Sequence, residues 1–207
     1  MFTAALYPNT KKVLALLAKE DFIKQFYLAG GTALALQLGH RRSIDLDFFS
    51  TQAIKSDNLA EELAKLGNFT VQQKDDKTLI GELNKVRVSF FYYPFNLLKP
   101  ARDYIVKLAD PVDVGLMKIT AIADRGSQKD FIDLFKICQE IINLKDLFNL
   151  LPKKFASVKY EPYYLIKGLT YFKDAEGMPW PDMLQSINWS EIKVFFEENS
   201  KKLLTDI

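Results

Sequence analysis

The chain has 207 residues, of which 48% are hydrophobic and 13% aromatic, a composition that supports a packed core and excludes a disordered protein. Its 28 basic and 26 acidic residues nearly cancel, so the overall charge does not indicate nucleic-acid binding. One cysteine and one histidine exclude an intramolecular disulfide and the usual Cys/His zinc site, and no apolar segment is long enough to cross a membrane. The N-terminus also lacks a signal-peptide pattern, so we expect a cytoplasmic protein with no membrane contact.

The first predicted element is a helix over Thr10 to Phe26, in which apolar residues recur at helical spacing. A Gly-Gly-Thr turn at Gly30, Gly31 and Thr32 then opens a short apolar helix. Glycine permits backbone geometry that side chains forbid, and Thr32 is expected to cap the helix. Helix N-termini bind anions, which favours a phosphate site, although the tripeptide alone is typical of an ordinary tight turn.

A basic turn that contains His40 and Arg41 leads into the strand-like sequence Ile44 to Phe49. Side chains alternate along a strand, so Ile44, Leu46 and Phe48 are expected to face the core. Asp45 and Asp47 would share the other face, about 6.6 Å apart along the strand. Two carboxylates there suit Mg²⁺, which also takes oxygens from water and substrate phosphates. The alternative is an edge strand with two solvated acids.

The rest of the first half predicts an α+β fold, a small mixed or antiparallel sheet with flanking helices. The predicted elements are a helix over Ser56–Leu66, strands over Phe69–Gln73, Thr78–Leu83 and Val86–Tyr92 with a hairpin turn at Asn84-Lys85, and an extended piece over Tyr104–Ala109. We divide the chain into an α+β domain over 1–108 and a helical domain over 109–207, which is expected to complete the active-site cleft.

The second half opens with a predicted helix from Val112 to Gly126. Lys118 and Arg125 share one face of it, a plausible clamp for a triphosphate. Ser127 and Asp130 have the form of a capping box, and Lys129 with Asp133 that of a surface ion pair. A purely structural role for all of these residues is the alternative.

Further helices are predicted over Lys145–Phe155, Pro162–Phe172 and Ser190–Leu204. An aromatic cluster in this part is expected to pack between helices, with stacking on nucleic-acid bases as the alternative; its members are Tyr160, Tyr163, Tyr164, Tyr171 and Phe172. The neighbouring lysines, Lys153, Lys154, Lys159 and Lys167, are expected on a solvated face, with contact to an RNA backbone as the alternative. Cys138 lies in an apolar helical pattern and is expected in the core.

Gly-Gly-Thr followed by Asp-x-Asp resembles the signature of the DNA polymerase β-like nucleotidyltransferases. The wording around Gly30–Leu34, Gly39–Arg41 and Ser43–Phe49 is similar to the AbiEii/AbiGii toxins of type IV toxin–antitoxin systems, as is the block from Asp113 to Leu134. This resemblance implies Mg²⁺-dependent transfer of NMP from an NTP to an acceptor hydroxyl, with a tRNA 3′ end as acceptor and a cognate antitoxin as partner.

The resemblance also implies residue roles. Asp45 and Asp47 would hold the metal and act in catalysis with Lys118 and Asp133. The NTP phosphates would contact Gly30, Gly31, Thr32, Lys118, Arg125, Lys129 and Asp130. The roles of His40 and Arg41 stay open.

Ser89 stands where the resemblance predicts a third carboxylate, on the strand beside the Asp pair. Three alternatives follow: a weak or inactive nucleotide-binding protein that acts through a partner, an enzyme that modifies a protein side chain, and a domain without a ligand. The preferred NTP and the oligomeric state are not readable from the sequence.

Overall fold

The structure, a computed structural model, describes residues 1–205, which form two compact units, Met1–Asp110 and Pro111 onwards. No helix in this part of the chain is both long and apolar enough to cross a bilayer.

The first unit is built on a seven-stranded mixed sheet in the order β3-β4-β5-β2-β1-β7-β6. The strands are β1 (Tyr27–Leu28), β2 (Leu46–Ser50), β3 (Phe69–Lys74), β4 (Thr78–Leu83), β5 (Val86–Tyr92), β6 (Arg102–Asp103) and β7 (Lys107–Leu108). The pairs β2–β5 and β1–β7 are parallel, and the other four pairs are antiparallel. The α+β class expected from the sequence is confirmed.

Helices α1 (Pro8–Leu17), α2 (Gly30–Leu38) and α3 (Ser56–Lys65) accompany the sheet. They contribute to one hydrophobic core that also includes Phe48 and Phe90, whose rings stack with centroids 5.2 Å apart. The hairpin turn predicted at Asn84-Lys85 forms, with φ of 50° and 67°. Positive φ at both central residues is the geometry of the hairpin turn that matches strand twist.

The helix predicted over residues 10–26 is wrong in its second half. α1 ends at Leu17, and Asp21–Gln25 forms only a short 3₁₀ turn. The chain bends here to enter β1, and Phe26 packs edge-on against Phe90 with ring centroids 5.1 Å apart. Helical periodicity in the sequence does not reveal this tertiary contact.

The second unit consists, over the described residues, of helices. They are α4 (Pro111–Arg125), α5 (Gln128–Glu140), α6 (Leu144–Phe148), α7 (Leu151–Lys154), α8 (Pro162–Gly168), α9 (Lys173–Glu176) and α10 (Trp189–Thr205). Phe131 lies at the centre of its core, with the rings of Phe172, Trp189 and Phe196 between 5.2 and 5.9 Å away.

Two predicted helices of this unit are shorter than expected. The single helix predicted over Lys145–Phe155 is two helices, because Pro152 lies in the first turn of α7, where its missing N–H costs nothing. The helix predicted to run to Phe172 ends at Gly168.

Candidate active site

The start of α2 lies directly against the carboxylate of Asp47. Gly30 has φ +62°, and a Cβ at this position would stand 3.2 Å from Asp47 Oδ2. The N–H of Ala29 donates to the Asp47 carbonyl at 3.0 Å, which fixes the turn to β2. Gly30 is therefore required both for its backbone conformation and for the close approach of the acid.

Thr32 does not cap α2, in contrast to the prediction. The N-cap is Ala29, and Thr32 lies inside the first turn and is buried. Its hydroxyl hydrogen-bonds with the Ser43 hydroxyl at 2.8 Å and donates to the backbone carbonyl of Asp45. Thr32 thus ties the start of the helix to the segment that presents the first acid.

Asp45 immediately precedes β2 and Asp47 lies within it; both are half-buried. Leu46 and Phe48 are completely buried, as predicted for the opposite face. Ile44 is 53% exposed, so the prediction that it faces the core is wrong. Its segment is held by backbone contacts, Ser43 N–H to Ala5 carbonyl at 2.9 Å and Thr10 hydroxyl to Ile44 carbonyl at 3.2 Å, before the strand begins.

Within residues 1–205, no group of three or more His, Cys, Asp or Glu side chains is arranged to hold a metal ion. The Asp pair fits Mg²⁺ all the same, because this ion is commonly bound by one or two carboxylates and completes its shell with water and substrate phosphates. The close packing of Asp47 on Gly30 leaves room for no side chain at the turn, so substrate oxygens can approach the carboxylate there.

Ser89 pairs with Asp47 in the parallel register of β2 and β5, and it is 1% exposed. The side chains of paired residues on neighbouring strands point to the same face. The position expected for a third carboxylate is therefore beside Asp47 as predicted, and a neutral hydroxyl stands there.

His40 and Arg41 are buried inside the first unit, with exposed fractions of 0% and 3%. They follow Gly39, which ends α2 in the left-handed conformation with φ +63°. The Arg41 guanidinium donates to the Arg42 carbonyl at 3.0 Å. This burial favours a role in ordering the turn before β2.

A second cluster of charged residues lies between α4 and α5. The ammonium of Lys118 is 2.6 Å from Asp130 Oδ1 and 2.6 Å from Asp133 Oδ2. All three residues are buried, with at most 6% of their surface exposed. A buried charge must be paired to be tolerated, and Lys118 is therefore committed to both carboxylates.

Arg125 and Ser127 also contact Asp130, with Arg125 Nε 3.1 Å and the Ser127 hydroxyl 2.5 Å from Oδ2. The predicted capping box does not form, because the Ser127 hydroxyl donates to this carboxylate and accepts no N–H from the helix. The side chain of Arg125 is 68% exposed, and Lys129 is exposed.

The cluster controls the ionisation of Asp130. Burial raises the pKa of its carboxyl, but the charges of Lys118 and Arg125 and the hydrogen bonds from Lys118 and Ser127 outweigh burial. The pKa therefore lies below its usual range. By contrast, burial raises the pKa of the Cys138 thiol to about 12, so this residue is not a nucleophile at neutral pH.

Sequence reasoning missed one buried ion pair. Lys154 Nζ lies 2.7 Å from Asp113 Oδ1, and both side chains are completely buried. Lys154 had been expected on a solvated face with its neighbouring lysines. Nothing in the sequence distinguishes it from Lys153, since the two differ only in the side of α7 on which they lie.

The profile of a family described as "Nucleotidyl transferase AbiEii toxin, Type IV TA system" matches residues 12–99. An uncharacterised protein of Aquifex aeolicus strain VF5 is 36% identical over 185 residues, which cover 86% of this chain and 88% of the relative.

Among solved structures, MenT4, a nucleotidyltransferase toxin of Mycobacterium tuberculosis, has a TM-score of 0.60 at 17% identity, over 96% of this chain and 83% of that one. JHP933 of Helicobacter pylori has a TM-score of 0.53 at 16% identity, over 99% and 95%. These two likenesses concern the fold. Taken with the family profile and the Aquifex relative, they show that the chain belongs to the AbiEii nucleotidyltransferase toxin family and is a transferase.

Proposed function

We propose that this nucleotidyltransferase uses Mg²⁺ to transfer NMP from an NTP to the 3′ hydroxyl of an RNA, with tRNA as the acceptor. The observation that carries the proposal is the contact between Gly30 and the Asp47 carboxylate. It combines a helix N-terminus with an acid pair in one small region. Phosphates are attracted to the former, and a metal that bridges phosphates is attracted to the latter.

Each residue of the first unit has a defined task in this proposal. Gly30 and Gly31 present backbone N–H groups of the first turn of α2, which have no acceptor within the helix, to phosphate oxygens. Asp45 and Asp47 would hold Mg²⁺, which when bound neutralises charge on the transferred phosphate. Thr32 orients Asp45 through its backbone carbonyl.

The charged cluster of the second unit is assigned a supporting task. Lys118 keeps Asp130 and Asp133 in fixed positions, because its ammonium contacts both carboxylates. Arg125 and Lys129 are exposed and contribute positive charge toward the triphosphate. The RNA acceptor and a cognate antitoxin are proposed from the family, whose description names a type IV toxin–antitoxin system.

The test is incubation of the purified protein with Mg²⁺ and each α-³²P-labelled NTP in turn, with total tRNA or with the protein alone. We expect label on tRNA from a preferred NTP, and at least about a hundredfold less label for Asp45→Asn and Asp47→Asn. Asp76→Asn, an exposed acid between β3 and β4, is the matched control. An Asp47→Asn variant as active as the control would refute the proposal, and label on the protein itself would identify a side chain as the acceptor.

A second candidate, a nucleotide-binding protein with little activity, is favoured by Ser89 alone. Its expected signature is Mg²⁺-dependent NTP binding without transfer to RNA or protein. The variant Ser89→Asp separates the candidates, because it adds a carboxylate beside Asp47. If the missing acid limits catalysis, label transfer appears or rises about tenfold or more in this variant; an unchanged transfer rate in a protein that still folds removes Ser89 as the cause.

A further inference from the structure

Three tyrosines of the second unit are exposed where the sequence predicted packing. Tyr163, Tyr164 and Tyr171 have 61%, 53% and 49% of their surface exposed. The buried side of this segment is occupied instead by Leu165, Ile166, Leu169 and Phe172. An aromatic ring in water gains free energy by finding a flat partner, and three in one short segment are unusual for a surface that contacts only solvent.

The tyrosines and Lys167 form one strip along α8 and the turn that follows it. Tyr163 and Tyr164 precede Lys167 by four and three residues, and Tyr171 follows it by four, the spacings that place side chains on one helical face. The turn continues the helical path, since the N–H of Tyr171 donates to the Gly168 carbonyl at 3.1 Å. We call these four residues the tyrosine strip.

The tyrosine strip is fixed in place by contacts with the end of α4. The Tyr164 hydroxyl donates to the Ala123 carbonyl at 3.0 Å. A Cβ on Gly168 would lie 2.8 Å from the Ala123 Cα, so α8 approaches α4 at backbone distance. The strip is thus a preformed surface, and preformed surfaces lose little conformational entropy when they bind.

Positive charge surrounds the tyrosine strip. Residues 159–173 contain three exposed lysines, Lys159, Lys167 and Lys173, against one exposed acid, Glu161. Arg125, two residues beyond Ala123 on α4, adds an exposed guanidinium, next to the exposed acid Asp124. Aromatic rings interspersed with a small excess of cations are the composition of surfaces that bind single-stranded nucleic acid, where bases stack and lysines contact phosphates.

We propose that the tyrosine strip binds the single-stranded portion of the RNA acceptor, with bases stacked on Tyr163 and Tyr171 and a phosphate paired with Lys167. The choice of RNA rests on the proposed function. Exposed aliphatic residues are absent from the strip itself, and this distinguishes it from a typical hydrophobic protein interface.

Direct binding tests the inference without relying on catalysis. The probe is a fluorescein-labelled, mixed-sequence single-stranded RNA of about 12 nucleotides, added to the full chain without NTP or Mg²⁺ and followed by anisotropy. The Tyr163→Leu/Tyr171→Leu variant keeps apolar surface but removes the rings, and we expect it to bind about tenfold more weakly or worse. Tyr163→Phe/Tyr171→Phe keeps the rings and should bind within about twofold of the wild type.

Two further variants sharpen the result. Lys167→Gln should lower the slope of log K against log salt by about 0.7, the value for one phosphate contact on a single strand. Val194→Ala, at a residue of α10 that is 51% exposed, is the control for a general loss of binding. Tyr164 is left intact because of its hydrogen bond to Ala123, and thermal unfolding confirms that each variant is folded.

The outcomes separate this inference from the proposed function. If the Leu double variant binds RNA as well as the Phe double variant, stacking on the strip is refuted, whether or not the protein labels tRNA. If the Leu variant alone loses binding, the strip is an RNA site even when no transfer is detected. If neither variant nor wild type binds the RNA, the inference fails, and the surface is then tested with a purified antitoxin.

Discussion

At the scale of single residues, Gly30 is the position with the least freedom to change. Alanine there would adopt φ near +62°, which is strained for any residue with a Cβ. Its methyl group would also lie 3.2 Å from Asp47 Oδ2, closer than nearly all such contacts, so the carboxylate must move. Both effects act on the same acid.

We therefore expect Gly30→Ala to lower the free energy of unfolding by about 1–3 kcal/mol. Label transfer should fall about tenfold or more, because a small displacement of a catalytic group has a large effect on rate. Urea unfolding and the radiolabel assay measure the two effects. Gly177→Ala is the matched control, since a Cβ on Gly177 meets nothing within 4 Å; equal behaviour of the two variants would contradict the argument.

At the scale of elements, the pair Asp113–Lys154 fastens α4 to α7. Removing one partner leaves the other as an uncompensated buried charge, so Lys154→Met should cost about 3–5 kcal/mol of unfolding free energy. The double variant Asp113→Leu/Lys154→Met removes both charges and should be much less destabilised than the single variant. A double-mutant cycle by chemical denaturation measures this difference, and Lys153→Met, an exposed neighbour, is the control.

The cluster around Asp130 connects α4 to α5 in a way that depends on pH. Because the folded pKa of Asp130 lies below its unfolded value, near 3.9, the carboxylate stabilises the fold above about pH 4. This stabilisation is lost as the pH falls through the folded pKa. Protonation removes the charge that pairs with Lys118 and Arg125.

We expect the free energy of unfolding to fall less steeply below about pH 4 in Asp130→Asn than in the wild type, since the variant no longer has this carboxylate to protonate. Denaturation with urea at a series of pH values measures the slope. Asp124→Asn, an exposed acid on α4, is the comparison. An identical acid slope in Asp130→Asn and the wild type would show that the cluster does not contribute to acid stability.

At the scale of the whole molecule, local patterns in the sequence predicted the elements well and their packing poorly. The alternation around Leu46 and Phe48 and the turn at Asn84-Lys85 are short-range signals, and both are confirmed. Ile44 continues the same alternation but is exposed, because backbone contacts to Ala5 and Thr10 hold its segment outside the sheet. Such contacts depend on residues more than thirty positions away.

The candidate site shows the same division. Asp45, Asp47 and the glycine turn were predictable because the motif is contiguous and its chemistry is local. The pairing of Ser89 with Asp47 confirms the strand comparison that identified the missing carboxylate. The commitment of Lys118 to two carboxylates was not predictable, because helical spacing within α4 gives no information about the side chains that α5 directs at it.

The family profile ends at residue 99, but the first unit continues to Asp110. Strand β7 pairs in parallel with β1, and the Ala109 N–H donates to the Leu28 carbonyl at 2.9 Å. Leu108 is fully buried and belongs to the same hydrophobic core as α1 and β2. The last residues of this unit are thus part of its core, and they cover the side of β1 that precedes the catalytic turn.

We expect a fragment of residues 1–110 to unfold cooperatively on heating, because the hydrophobic core cluster lies entirely within it. A fragment of residues 1–99 loses β6 and β7 and the burial of Val106 and Leu108, and it should be less stable by about 3 kcal/mol or more. Circular dichroism during heating and in urea compares the two. Equal stability would mean that β7 does not support β1, and a broad, uncooperative transition in the longer fragment would mean that this core needs the helical unit in order to fold.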